Sequence, residues 1–211
     1  MFRTKSIHPY CAKLRTSLED SIKMLGFRTY SWQNLAKELE KFHLGSKQFY
    51  EVPASFGQYV KKQETVDFSL YHIELNYGRT EIYDSNHPAK IKNSICRDAP
   101  YQFILRQNQD FIAILGFEPI WNGILISQIQ GIPGKHEELS KFIWPRALLN
   151  MATNWAKENK IRFAAVLPYY KNKWKIVRTN KYNSYLIYDF SAKKEGFNFD
   201  SKLEVYAKRL F

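Results

Sequence analysis

Apolar residues recur at helical spacing near the start of the chain. Over residues 9–25, Leu14, Leu18, Ile22 and Leu25 share one face, and Gly26 stands where a left-handed C-cap would end the helix. Residues 31–45 repeat the form. Ser31 caps the start, Leu35, Leu39 and Phe42 make the stripe, and Gly45 closes it. Both segments are expected to be helices covering a core. Residues 66–78 then turn β-like, and Gly78-Arg79 is expected to close a hairpin into residues 80–84. Residues 85–100 carry two prolines and read as a loop.

From residue 101 the rhythm is that of strands. Residues 101–106, 111–121 and 123–130 are three apolar runs, separated by turns at 107–110 and 119–123. Asn122-Gly123 is the strongest hairpin signal in the chain, and strands joined by tight turns make an antiparallel meander. Gly131 and Gly134 then flank Ile132-Pro133. A helical stripe begins at Leu139, Phe142 and Ile143, and Trp144-Pro145 interrupts it, so the main helix is expected to start near Pro145. Leu148, Leu149, Ala152, Trp155 and Ala156 would be its buried face. Residues 161–167 read as a short buried strand. Strand, loop, helix and strand in that order form a crossover that pairs its two strands in parallel. Residues 188–197 suit a helix capped by Gly196, and residues 202–211 a final strand. The expected fold is one α/β domain over residues 1–211. Its central sheet is mixed, mostly antiparallel and flanked by helices. Residues 1–100 supply helices, hairpin and loop; residues 101–211 supply the meander, the glycine loop with its helix, and the last strands.

Composition narrows the partners. Hydrophobic residues make up 45% of the 211, enough for a core, and the net charge of +12 favours an acidic or phosphorylated partner. Between Glu158 and Asp189 no acidic residue occurs. That interval carries Lys160, Arg162, Lys171, Lys173, Lys175, Arg178 and Lys181, interleaved with Tyr169, Tyr170, Trp174, Tyr182, Tyr185 and Tyr188. Such a stretch suits nucleic acid. Cys11 and Cys96 form no CxxC pair, and the five histidines lack metal-ligand spacing, so neither a disulfide framework nor a metal site is expected. The longest apolar run, residues 111–117, is too short to cross a bilayer, and the start of the chain has no signal-like core. A cytoplasmic protein without a membrane partner is the expectation.

The glycine pair carries the candidate chemistry. Where a strand hands over to a helix, backbone amides converge and the helix dipole adds positive charge. Glycine lets an anion approach without a Cβ in the way, and Lys135 would add a full charge. Gln130, Gly131, Gly134 and Lys135 are therefore candidates for gripping a pyrophosphate.

The order of these elements resembles the GNAT-type N-acyltransferase superfamily over about residues 101–211. The family's Gln/Arg-x-x-Gly half-motif is matched by Gln128-Ile129-Gln130-Gly131, while Pro133 stands where the second small residue belongs and Gly134 follows one position late. Asn172 is similar to the family's asparagine after its fifth strand. Gly196-Phe197 is similar to the end of its last helix, but Ala192 occupies the position of the tyrosine that protonates the departing thiolate. Tyr188, one turn earlier, is the candidate substitute, with Tyr185 behind it. The resemblance implies acyl-CoA, typically acetyl-CoA, as donor and an amine as acceptor. Gln128, Gln130, Gly131, Gly134, Lys135 and Asn172 would hold the cofactor. Tyr188 would act on the thiolate, Glu118 would serve as base, and an amide between Ile126 and Gln128 would hold the oxyanion.

Two other readings stand beside it. Gly131-x-x-Gly134 has the form of the loop by which KH modules clamp nucleic acid, although that loop joins two helices. A GNAT-like scaffold without catalysis, acting as an interaction or regulatory protein, is also consistent with Ala192 and the shifted glycine.

Overall fold

The computed structural model describes residues 47–77, 99–120, 123–171 and 181–211. The helices expected at 9–25 and 31–45, the hairpin after Gly78 and Asn172 lie outside these residues. Eight strands form one sheet: β1 (Lys47–Glu51), β2 (Tyr71–Tyr77), β3 (Tyr101–Gln107), β4 (Asp110–Ile120), β5 (Gly123–Gly131), β6 (Phe163–Val166), β7 (Asn198–Asp200) and β8 (Val205–Arg209). Their order across the sheet is β1-β2-β3-β4-β5-β6-β8-β7. Each neighbouring pair is antiparallel except β5 and β6, which run parallel. The mixed, mostly antiparallel sheet inferred from the sequence is therefore the sheet observed.

The connection between β5 and β6 holds a short helix α1 (His136–Ser140) and the long helix α2 (Trp144–Glu158). Pro145 sits in the first turn of α2, where its missing N–H does no harm. Leu148, Leu149, Ala152, Trp155 and Ala156 are buried against Ile73, Phe103, Leu115, Phe117, Ile124, Ile126, Ile129 and Val166 of the sheet. A Leu149→Ala change in such a layer costs about 2–5 kcal/mol. The chain re-enters helix at α3 (Lys181–Tyr185), passes through a π turn (Leu186–Phe190) and finishes with α4 (Ser191–Lys194). Gly196 then turns it out at φ +80°, as a C-terminal glycine does.

The opposite face of the sheet has two apolar patches, one around Leu125, Ala165 and Val205 and one of Ile104, Ile114 and Ile132. A polar row crosses it: Asn76, Gln102, Gly116 and Gln128 are successive cross-strand partners, and the three side chains are buried.

Three boundaries differ from the sequence reading. β2 begins at Tyr71, because Asp67 accepts the Ser69 amide and winds residues 68–70 into a 3-10 turn. β4 continues through Glu118 and Pro119 to Ile120, paired with β5, so Pro119 and Ile120 belong to the strand and not to the turn expected at 119–123. β1 and β7 join the sheet at its two edges.

Candidate functional site

β5 and β6 stay together for four residue pairs, from Gly123–Phe163 to Ile126–Val166. Leu167 N–H donates to Ile126 O at 3.0 Å, and then Pro168, which has no amide hydrogen, ends the strand before the turn Tyr169–Lys171. β5 continues five residues further with β4 as its one strand partner among the described residues. The sheet thus opens into a wedge beyond Ile126. At that point β5 carries a bulge: Phe117 pairs with Ile126 and Gly116 with Gln128, leaving Ser127 as the extra residue. A bulge re-aims the backbone locally. It lies in the interval where an amide was expected to serve as an oxyanion donor.

Register fixes which groups face the wedge. Ile132 N–H donates to Ile112 O on the β4 side at 2.9 Å. In an antiparallel ladder, alternate residues point their amides to opposite edges. Ile129 and Gly131 therefore point theirs away from β4 into the opening. The Ile129 amide meets the hydroxyl of Tyr188, which accepts its hydrogen at 2.9 Å. The next residue, Asp189, holds the other side. Its carboxylate accepts the Tyr169 amide at 2.8 Å and the Tyr206 hydroxyl at 3.1 Å. Burial pushes the Asp189 carboxyl above its ordinary range, with the Tyr169 amide and the Tyr206 hydroxyl pulling the other way. The Tyr206 phenol is raised by burial and by this carboxylate. Ser191 Oγ donates to Leu186 O at 2.8 Å across the π turn that presents both residues. Such turns recur where a helix must aim side chains at a site.

The glycine loop is a tight turn. Lys135 N–H donates to Ile132 O, Ile132 N–H serves β4, and Pro133 has none. Gly134 has φ +86° and open space around it, a conformation that favours glycine. Gly131 is hemmed in: a Cβ there would stand 2.6 Å from Leu139 Cδ1 and 3.4 Å from the Trp144 ring. The Lys135 ammonium pairs with Asp110 at 2.7 Å and lies 3.9 Å from Glu138. Gln128 and Gln130 alternate with Ile129, so their side chains project to the face away from α2, 3.5 Å apart. The five loop candidates are thus split between two faces of the sheet.

Glu118 pairs with Leu125, four residues along β5 from Ile129, or roughly 13 Å at about 3.3 Å per residue. It belongs to the face that carries Gln128, whereas Tyr188 is packed in the core under α2. Ala192 is buried with its carbonyl taken by the Phe197 amide at 3.0 Å. Tyr185 makes edge contact with the Tyr169 ring at 6.1 Å.

Two groups had no part in the sequence reading. Asp189 ended the acid-free interval, which was its one visible signal. Tyr59, Arg146 and Glu195 form a node at the start of α2: the Glu195 carboxylate accepts the Tyr59 hydroxyl and Arg146 Nε, each at 2.8 Å. Burial and the Glu195 carboxylate raise the Tyr59 phenol strongly. No pattern in the sequence joins these three.

The Gly131-x-x-Gly134 loop joins a strand to a helix, not helix to helix as in KH modules. No protein family and no curated protein matches the sequence. Among solved structures, the chain is similar to the ribosomal-protein-S18-alanine N-acetyltransferase from Escherichia coli, at a TM-score of 0.36 and 10% identity, over 78% of this chain and 94% of that one. Superposition at that level decides nothing about activity. No helix among the described residues is long and apolar enough to cross a membrane.

Proposed function

We propose that the chain transfers an acyl group from a pantetheine thioester of the acyl-CoA kind to an amine, with the wedge between β5 and β6 as the donor site. One observation carries this reading: among the described residues no strand pairs with the outer edge of β5 beyond Ile126, and a phenol stands on that edge at Ile129. An open strand edge takes an extended amide-bearing ligand as it would take another strand. A pantetheine arm is such a ligand, and the Gly131 amide would hold it, the Ile129 amide being taken by the Tyr188 hydroxyl. The thioester supplies an activated carbonyl: the C–N bond forms as the C–S bond breaks, and the amine proton leaves while the thiolate gains one.

Tyr188 would hold the proton at its Oη next to the leaving sulfur, and a backbone amide at the Ser127 bulge would face the carbonyl oxygen. Glu118 and Gln128 share the other face of the sheet, which supports an acceptor arriving from that side with Glu118 drawing its proton through water. The residues fit the arm of the cofactor. They do not fit its diphosphate, because Gln128 and Gln130 point away from the loop and Lys135 already has a carboxylate partner.

Calorimetry with acetyl-CoA, followed by thiol release with a panel of amines, tests the proposal. Binding with amine-dependent thiol release is expected. Binding without release for any amine would favour the silent-scaffold reading. No heat and no thermal stabilisation at millimolar ligand would end the donor-site assignment.

A further inference from the structure

A nucleotide diphosphate is normally gripped by free amides at a helix N-terminus, helped by unpaired cations. Two helices follow β5, and the first turn of each carries features unfavourable to phosphate. At α1, Glu137 and Glu138 occupy the first turn, and Lys135 is paired with Asp110. Carboxylates there repel phosphate.

The start of the long helix α2 is closed by protein. Ile143 N–H donates to Tyr59 O at 2.8 Å, and Lys61 N–H donates to Lys141 O at 3.0 Å. Val60 and Phe142 form a β-bridge between these bonds. Trp144 and Pro145 come next, and proline offers no amide. The Arg146 N–H donates to Ile143 O at 3.1 Å, and the Arg146 guanidinium is held by Glu195 at 2.8 Å over the Tyr59 ring. The segment 59–61 is thus bonded to Lys141 and Ile143 just before α2, whose first turn lacks an amide hydrogen at Pro145 and spends that of Arg146 on Ile143 O.

We infer that the donor is recognised by its pantetheine arm alone, with the nucleotide end left outside the fold. This rests on the wedge between β5 and β6 being the donor site. The donor class is then any thioester on a pantetheine arm, whatever its phosphate carries.

The test compares acetyl-CoA, S-acetylpantetheine and adenosine 3′,5′-bisphosphate by calorimetry on the full chain. The two thioesters are expected to bind within about threefold of each other, a difference of well under 1.4 kcal/mol. The bisphosphate is expected not to compete at millimolar concentration. Acetyl-CoA binding tighter than S-acetylpantetheine by about thirtyfold or more, or competition by the bisphosphate, would overturn the inference while leaving the donor site intact. Binding of neither thioester would remove the donor site and this inference together.

Discussion

Tyr188 and Asp189, adjacent in the chain, hold opposite sides of the opening in the sheet. Tyr188 takes the Ile129 amide on β5, and Asp189 takes the Tyr169 amide just past the end of β6. Both residues lie in the π turn Leu186–Phe190, an irregularity of the kind found where a helix carries functional side chains. The wedge is thus a fixed gap, braced from within, and the brace includes the phenol assigned to the chemistry.

Tyr188→Phe separates these two roles. Removing the hydroxyl leaves the buried Ile129 amide without its acceptor, which is expected to cost about 1–3 kcal/mol in urea unfolding. If the phenol also moves the proton, kcat falls by roughly 10²–10⁴-fold while thioester affinity changes little. A variant that is destabilised but turns over at the parent rate would reduce Tyr188 to a brace.

Asp189 makes a pH prediction whose sign can be worked out. Its folded carboxyl titrates above the ordinary 3.8. The native state therefore binds this proton more tightly than the unfolded chain does. The stability it contributes is full below that ordinary value and is lost as pH rises through the folded one. Asp189→Asn is expected to remove this group's share of the decline in urea midpoint as pH rises above the ordinary carboxylate range. Parallel curves for parent and variant would show that Asp189 does not set this slope.

At Gly131 the sequence suggested an anion contact, and the packing supplies a second reason for glycine. Gly131→Ala drives a methyl into Leu139 and is expected to cost about 1–3 kcal/mol. Combining it with Leu139→Ala, which removes the clashing methyls, should recover about 0.5–3 kcal/mol relative to the sum of the single changes. Strict additivity in thermal or urea unfolding would mean the close approach is absent in solution. A larger residue such as valine would unseat Leu139 and could not by itself report on ligand binding.

The node at Glu195 is expected to matter for the fold. Glu195→Ala leaves the Arg146 guanidinium and the Tyr59 hydroxyl facing each other without an acceptor. Because Arg146 keeps some solvent, the loss is expected near 1–3 kcal/mol rather than that of a fully buried pair. Glu195→Gln keeps an acceptor for one partner and should lose about half as much. Equal losses in the two variants would show that charge, and not the acceptor oxygen, holds the node.

Much of the architecture was legible in residues 101–167. The meander was carried by three apolar runs and the Asn-Gly signal, and the crossover by the stripe from Leu148 to Ala156. Edge strands were not legible. Phe49 in β1 is 63% exposed and β7 has three residues, so neither alternates against a core. The phenol at Tyr188 was reachable through its spacing from Gly196-Phe197. Its partner amide was not, because the β5 register depends on a bulge at Ser127 that no residue type announces. The contacts before α2 depend on the hydrogen bonds Ile143 N–Tyr59 O and Lys61 N–Lys141 O, between residues far apart in the chain, which local pattern cannot carry.

The parallel pair has a consequence for how the molecule comes together. β1 to β5 join neighbours in chain order, whereas β6 pairs with β8 and β7 is folded back onto the outer edge of β8. Among the described residues, the ladder that joins the two groups of strands is the four pairs from Gly123–Phe163 to Ile126–Val166, and it needs the whole segment 132–162 to be in place. Closing that ladder carries the entropy cost of the loop between its strands.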